Sequence, residues 1–329
     1  TVRLIFLLFL LLTIHFDILG KKNALPFAFA ATGFTRMMGY EGEPAVARVA
    51  EKYGILYGLS TLGTTSPEDL AKEVPNVRRW YQLYVRRERE PNEKLIERVK
   101  ASGYETIVLT VDTVVGGVRY RDVKNGLTIP PKLTLKTLIG MAKYPKWWMN
   151  LLTTEPLVFA SLDMKDSGGT VADLLSKIFD PSITLEDIKW LKSVWNGKLL
   201  IKGVQSVEDA VMLKNAGVDG VILSTHGGRQ MDKAPVPLEL LPEVRKAVGK
   251  DFTVLIDGGV MAGTDILAAI GLGANAVLIG RAYLYGLMAG GEQGVDRVVA
   301  LLKAEIEMSM RLLGITKLDE LTPDRVRIR

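Results

Sequence analysis

Short apolar runs alternate with helical patterns eight times along this chain, and that alternation strongly limits the folds open to it. The runs are short and mostly apolar, and they lie at residues 27–31, 55–59, 80–85, 106–111, 199–201, 220–223, 253–256 and 276–279. Runs of this length between helices are typical of buried parallel strands. Eight strand–helix units without a long linker predict an α/β fold, a (β/α)8 TIM barrel.

One segment interrupts this rhythm after the fourth strand. The insertion covers about residues 114–181, far more than the roughly 2 to 6 residues of an ordinary βα loop. Long loops at the carboxyl end of a barrel usually form lids or docking surfaces. Within it, residues 143–149 mix basic and aromatic side chains, a composition typical of a membrane interface. A subunit contact or local packing would explain the same residues.

The first residues do not fit the repeating pattern. Nine apolar residues, 4–12, follow Arg3, about half of the ~20 needed to span a bilayer. We expect residues 1–20 to be an apolar leader, a buried element or the remnant of a truncated N-terminal segment. Residues 21–329 are then expected to form a single barrel domain.

Composition narrows the chemistry. The 329 residues hold 42 Lys and Arg against 37 Asp and Glu, a net charge of +5 without long basic blocks, which argues against nucleic-acid binding. Cysteine is absent, so disulfides, iron–sulfur clusters and thiol catalysis are excluded. With only two histidines, His15 and His226, no metal site is predicted. Redox chemistry would therefore need an organic cofactor.

Polar side chains stand at the carboxyl ends of all eight predicted strands. In a barrel these ends converge on one mouth, where active sites are built. His226 is the only imidazole among them and is the candidate for proton transfer near neutral pH. The residues at the strand ends are Thr32, Ser60, Gln82, Tyr84, Thr110, Asp112, Lys202, Ser224, His226, Asp257 and Arg281.

Loops seven and eight add a second signal. Asp257-Gly258-Gly259 and Gly280-Arg281 bring bare backbone N–H groups and a guanidinium to the place where this fold commonly binds phosphate. Flavin mononucleotide (FMN) and a phosphorylated sugar are both candidate ligands.

Five ordered motifs resemble the FMN-dependent 2-hydroxy-acid dehydrogenases and oxidases. They are Gln-Leu-Tyr-Val (82–85), Thr-Val-Asp-Thr (110–113), Ser-Thr-His-Gly-Gly-Arg-Gln-Met-Asp (224–232), Asp-Gly-Gly-Val-Met-Ala-Gly-Thr-Asp (257–265) and Leu-Ile-Gly-Arg-Ala-Tyr-Leu-Tyr-Gly (278–286). The resemblance runs from about residue 18 to about residue 313. Within the insertion, residues 147–156 most resemble bacterial quinone-linked L-lactate dehydrogenases.

The resemblance implies roles for individual residues. His226 would be the catalytic base and Asp112 would stabilise its imidazolium, while Arg119, Arg229 and Tyr84 would bind the substrate. Lys202 would lie near N1 and O2 of the flavin. The remaining cofactor-binding positions would be Ala31, Thr32, Gly33, Ser60, Gln82, Thr110, Ser224, Asp257, Gly258, Gly259, Gly280 and Arg281.

Departures from the family pattern bear on activity. Met261 and Ala262 stand where an arginine pair is usual, so FMN affinity is expected to be reduced. The family's N-terminal segment supplies a substrate-binding tyrosine, yet no tyrosine precedes Tyr40; either the sequence is a fragment lacking that segment or the enzyme is impaired.

The resemblance leads to one favoured activity and several alternatives. The favoured activity is oxidation of L-lactate to pyruvate by a homo-oligomer, a tetramer by resemblance, at the cytoplasmic face of the cell membrane. Gly33 near flavin N5 favours a quinone as electron acceptor over dioxygen. The alternatives are an oxygen-using oxidase, a peptide-tailoring family member, a catalytically impaired flavin- or phosphate-binding barrel, and a phosphosugar isomerase.

Overall fold

Eight parallel strands close into a barrel in the computed structural model, which describes residues 12–117, 120–125, 134–162, 178 and 180–328. Each barrel strand pairs with the next along the chain, and the last closes on the first. The strands, in chain order, are β1 (Phe16–Ile18), β2 (Lys21–Asn23), β3 (Phe27–Phe29), β4 (Tyr57–Ser60), β5 (Arg79–Leu83), β6 (Thr106–Thr110), β7 (Lys198–Val204), β8 (Gly220–Leu223), β9 (Thr253–Asp257) and β10 (Ala276–Ile279). Strands β3 to β10 form the barrel, which confirms the predicted TIM barrel fold.

Helices follow the barrel strands, and those outside the long segment between β6 and β7 mostly pack against the outer faces of the strands. They are α1 (Thr35–Met38), α2 (Gly42–Tyr53), α3 (Pro67–Glu73), α4 (Arg89–Ala101), α5 (Tyr120–Lys124), α6 (Leu135–Ala142), α7 (Pro145–Thr153), α8 (Leu185–Val194), α9 (Val207–Asn215), α10 (Pro237–Val248), α11 (Gly263–Gly271) and α12 (Arg281–Leu313). Helix α12 is interrupted by non-helical backbone at Gly290 and Gly291.

Two apolar layers explain why the strands are apolar on both faces. Alternate residues such as Val108, Leu200 and Ile222 fill the barrel interior, and the others pack against the helices. The antiparallel β1–β2 hairpin closes the amino end of the barrel: Ile18 joins the interior cluster, and Arg78 Nη2 donates a 2.7 Å hydrogen bond to its carbonyl oxygen. The other end of the barrel is thereby left as the mouth.

The long segment between β6 and β7 lies partly across that mouth. Trp147 Nε1 donates a 2.9 Å hydrogen bond to the carbonyl oxygen of Met37, and the backbone N–H of Ala160 donates one of 3.1 Å to that of Gly63. These bonds attach the segment to α1, which follows β3, and to the loop that follows β4. Among the described residues, no helix is both long and apolar enough to cross a bilayer.

Candidate functional site

The side chains of His226 and Asp112 meet at the barrel mouth. His226 Nδ1 lies 2.9 Å from Asp112 Oδ1 and 3.3 Å from Thr113 Oγ1, while the Asp112 carboxylate is 1 % exposed. Nδ1 facing a carboxylate leaves Nε2, across the ring, as the atom that can take a proton. The arrangement is that of a general base oriented by a buried acid.

His226 lies in a tight turn with a strained backbone. His226 has a φ of 55°, in the left-handed region that non-glycine residues rarely adopt. Its backbone N–H donates a 2.9 Å hydrogen bond to Ser224 Oγ, and the N–H of Arg229 donates one of 3.3 Å to the His226 carbonyl oxygen. Gly227 and Gly228, with φ values of 64° and 75°, continue the tight turn.

Lys202 places a buried positive charge between two carboxylates. Its Nζ lies 3.1 Å from Ser224 Oγ, 3.4 Å from Asp257 Oδ2 and 3.9 Å from Asp112 Oδ2. Burial lowers the pKa of Lys202, but the charges of Asp257 and Asp112 outweigh it, so the pKa is raised overall. Burial raises the pKa of Asp112, but the hydrogen bond from His226 and the Lys202 charge lower it overall. Both groups are therefore ionised at neutral pH.

A row of hydrogen-bonded side chains crosses three neighbouring strands beside this centre. Ser60 Oγ donates to Gln82 Oε1 at 2.8 Å, and Gln82 Nε2 donates to Thr110 Oγ1 at 2.9 Å. All three side chains are buried. The row fixes which way the Gln82 amide faces, which suits recognition of a planar polar ring.

A glycine-lined cradle occupies the other side of the mouth. Gly258 and Gly259 have φ values of 90° and 77°, and a Cβ at Gly228 or Gly259 would meet nothing within 4 Å. The Arg281 guanidinium borders this space, with Nη2 3.3 Å from where a Cβ of Gly227 would lie. Arg281 also begins α12, whose positive end favours an anion.

The cradle fits the phosphate and sugar-alcohol chain of FMN. Asp257 Oδ1 is buried and has no hydrogen-bond partner among the described residues, so it is available to a ligand hydroxyl. At the Met261 and Ala262 departure, both backbone N–H groups donate to Asp265 Oδ2 at 2.9 Å. This helix start is therefore capped from within, and the Arg281 guanidinium supplies positive charge at the cradle.

The loop after β3 lies against the loop after β4. A Cβ on Gly33 would lie only 3.0 Å from Leu62 Cβ, and the N–H of Phe34 donates a 2.9 Å hydrogen bond to the Leu62 carbonyl oxygen. Thr32 Oγ1 lies 2.7 Å from Tyr283 Oη, a contact the sequence interpretation missed. Ala31 directly precedes this pair, at the carboxyl side of β3.

Tyr84 sits in an apolar cluster built partly from the long segment. Phe159, Leu162 and Ile178 are buried against it, and Phe34 packs edge-on against Phe159 with ring centroids 4.4 Å apart. Phe34 has a φ of 55°, unusual for a bulky residue. The cluster narrows the mouth on the side of β3 to β5.

The sequence-predicted site residues can now be placed. Those that lie at strand ends around the mouth are Ala31, Thr32, Gly33, Ser60, Gln82, Tyr84, Thr110, Asp112, Lys202, Ser224, His226, Asp257, Gly258, Gly259, Gly280 and Arg281. Arg229 is exposed on the His226 loop. Arg119 lies outside the described residues, and within them no group of three or more His, Asp or Glu side chains could hold a metal ion.

Comparison with known proteins agrees with this geometry. The model of the family described as FMN-dependent dehydrogenase matches residues 12–328. A Mycobacterium tuberculosis protein named "Putative L-lactate dehydrogenase" is 53% identical over 310 residues, 94% of this chain and 74% of that protein. L-lactate dehydrogenase of Vibrio cholerae is 35% identical over 320 residues, covering 95% and 84%.

A solved structure extends the likeness to three dimensions. The crystal structure of the monotopic membrane protein (S)-mandelate dehydrogenase superposes with a TM-score of 0.91 at 38% identity, covering 97% of this chain and 85% of that one. The family match, the relatives and the fold agree with the His226–Asp112 pair and the glycine-lined cradle in indicating a flavin-dependent oxidoreductase. The chain therefore belongs to the FMN-dependent dehydrogenase family and is an oxidoreductase that acts on 2-hydroxy acids with FMN as its cofactor.

Proposed function

We propose that this enzyme oxidises a small L-2-hydroxy acid, in the first place L-lactate to pyruvate. The observation that carries the proposal is the 2.9 Å contact between His226 Nδ1 and Asp112 Oδ1, which prepares an imidazole base beside the cofactor cradle. The likeness to proteins named L-lactate dehydrogenase supports the choice of substrate.

Each polar side chain at the mouth has a role in this reaction. FMN, when bound, supplies the acceptor for the hydrogen and the electron pair lost from C2 of the substrate. His226 Nε2 takes the proton of the substrate hydroxyl, and the buried Asp112 carboxylate stabilises the resulting imidazolium. Arg229 would hold the substrate carboxylate, since the guanidinium fork matches its two oxygens, and Tyr84 would donate a hydrogen bond; Arg119, outside the described residues, is assigned to the same carboxylate by resemblance.

Lys202 acts on the cofactor side of the reaction. Its buried ammonium already neutralises charge from Asp112 and Asp257. With FMN bound, this ammonium would stabilise the negative charge that the flavin gains on reduction and would raise its reduction potential. Ser60, Gln82 and Thr110, fixed by the hydrogen-bonded row, would bind the flavin ring.

The apolar cluster around Tyr84 favours a small group on C2. Phe34, Leu62 and Phe159 occupy space next to the substrate-binding tyrosine, which suits the methyl group of lactate better than a phenyl ring. Mandelate is the second candidate substrate because a mandelate dehydrogenase shares the fold so closely.

The electron acceptor is proposed to be a quinone at the inner face of the cell membrane. Helices α6 and α7 and the turn between them expose large apolar side chains, including Ile139 at 60%, Tyr144 at 66% and Leu152 at 76%. Such a patch suits peripheral contact with lipid, and the similar mandelate dehydrogenase is named a monotopic membrane protein. A homo-oligomer, a tetramer by resemblance, completes the proposal.

Product formation tests the proposal. Enzyme loaded with FMN is incubated without oxygen with L-lactate, D-lactate, glycolate or (S)-mandelate and a soluble quinone, and the 2-oxo acid is measured. We expect L-lactate to give the highest kcat/KM and D-lactate to give no product. In a second mixing, the substrate-reduced enzyme is exposed either to the quinone or to air-saturated buffer, and reoxidation by quinone should outpace reoxidation by dioxygen. Preference for mandelate, or faster reaction with dioxygen, would contradict the substrate or the acceptor, respectively.

A further inference from the structure

A third side chain, Gln230, ties together the two loops that carry His226 and Asp112. Gln230 Nε2 donates hydrogen bonds to the backbone carbonyl oxygens of Asp112 at 3.1 Å and Val115 at 2.8 Å. Its Oε1 accepts one from the N–H of Gly117 at 3.2 Å. Both amide N–H donors and the amide oxygen are thus bound to residues 112–117.

The two loops also approach too closely to move independently. A Cβ on Gly117 would lie 2.4 Å from the carbonyl oxygen of Arg229 and 2.6 Å from Cα of Gln230. On the opposite side, a Cβ on Gly203 would lie 2.5 Å from Cβ of Asp112. Asp112 is therefore held between the end of β7 and the Gln230 loop, and the hydrogen bonds of Gln230 oppose its movement outward.

We propose that Gln230 is a positioning residue that sets the His226–Asp112 hydrogen bond and thereby the tautomer of His226. A neutral His226 that donates Nδ1–H to Asp112 presents Nε2 as the base. If Asp112 moves away, this preference is lost, and part of the population carries its proton on Nε2, where it cannot accept another. The kinetic consequence rests on the proposed function, but the tautomer itself does not.

Nitrogen NMR measures the tautomer directly. The chain has two histidines, so ¹⁵N-histidine labelling gives ring signals from His15 and His226 alone, and His15→Gln assigns them. In Gln230→Met, which keeps the volume but removes all three hydrogen bonds, we expect mixed tautomers in place of the Nδ1–H form. We expect kcat with L-lactate to fall about 10- to 100-fold, with a smaller change in KM and with FMN affinity within about twofold.

Further variants separate positioning from packing. Gln230→Glu should lose more activity than Gln230→Met, since its carboxylate would face two carbonyl oxygens. Gly117→Ala should also mix the tautomers, because it separates the loops with Gln230 intact. Gln293→Met, an exposed substitution on α12, is the matched control and should change neither readout.

The proposal is overturned if Gln230→Met keeps the Nδ1–H tautomer and wild-type kcat, which would make the side chain a space-filler. A wild-type enzyme that no 2-hydroxy acid reduces would instead contradict the proposed function, and the NMR comparison would still decide the role of Gln230. If Gln230→Met fails to fold, an Nδ1–H tautomer in folded Gly117→Ala overturns the proposal.

Discussion

His226 Nδ1 and Asp112 Oδ1 lie 2.9 Å apart although the residues are 114 positions apart in the chain. Their strands, β8 and β6, are not neighbours; β7 runs between them and contributes Lys202. Three consecutive strand ends thus supply a base, an acid and a cation to one place.

Asp112→Asn tests the orientation of the base. The amide side chain can donate a hydrogen bond to Nδ1 and so favours the tautomer with the proton on Nε2. We expect the rate of flavin reduction to fall by about 10²- to 10⁴-fold while FMN stays bound. Anaerobic stopped-flow measures this rate. Asp296→Asn, which removes a surface ion pair with Lys52, is the control; a rate for Asp112→Asn within threefold of this control would contradict the assignment.

The contribution of Asp112 to stability should depend on pH. Its pKa is lowered in the folded state because the hydrogen bond from His226 and the charge of Lys202 outweigh the effect of burial. A carboxyl with a lowered pKa stabilises the fold above its unfolded pKa of about 3.9 and loses that contribution as pH falls through the folded value.

Denaturant titrations of wild type and Asp112→Asn therefore test this linkage. We expect the difference in unfolding free energy between them to be constant between about pH 5 and pH 7. Below about pH 4 the stability of wild type relative to Asp112→Asn should decrease. A difference that does not vary over the acid range would mean that the carboxylate is not held ionised by its neighbours.

Lys202→Met tests the role of the buried ammonium. Without it, negative charge on the reduced flavin is less stabilised, and Asp112 and Asp257 face each other across the site without their cation. We expect a lower midpoint potential and weaker FMN binding, measured by an equilibrium titration against reference dyes. Lys198→Met, at the start of the same strand and paired with Asp219, is the matched control. An unchanged potential in Lys202→Met would place the ammonium away from the flavin.

The apolar surface of α6 and α7 should govern membrane binding. Leu152 is 76% exposed, and burying a leucine in lipid is worth about 1.5 to 3 kcal/mol. Leu152→Asp should therefore reduce sedimentation with anionic vesicles about tenfold or more, with unchanged turnover of a soluble acceptor. Leu301→Asp, also exposed but on α12, should bind vesicles like wild type. Equal binding by both variants would contradict the proposed membrane surface.

The barrel was predictable because its strands carry their own signal. The run 220–223 and the run 276–279 match β8 and β10 in both bounds. The fifth strand of the barrel, β7, is predicted too short, at 199–201, because Lys202 and Gly203 look like a strand end. The ladder continues to Val204 through an irregularity between Lys202 and Val204, and the Lys202 ammonium is accommodated by two carboxylates.

Contacts between distant loops were not predictable. The β1–β2 hairpin has three-residue strands without an apolar run, so no hydrophobic periodicity predicts it. Gln230 is the Gln of the motif at 224–232, but its importance depends on residues 112–117 more than a hundred positions earlier. Polar strand ends show where a site lies, whereas the links that hold it in shape require the three-dimensional structure.

Anaerobic reduction of the bound flavin by L-lactate tests the central claim most directly. The FMN-loaded enzyme is mixed with L-lactate, and the visible absorbance of the flavin is followed in wild type and in His226→Gln. We expect rapid bleaching in wild type and a rate at least a hundredfold lower in the variant, with FMN bound in both. Bleaching at the same rate in both would contradict His226 as the base, and bound flavin that L-lactate cannot bleach in wild type would contradict the proposed reaction.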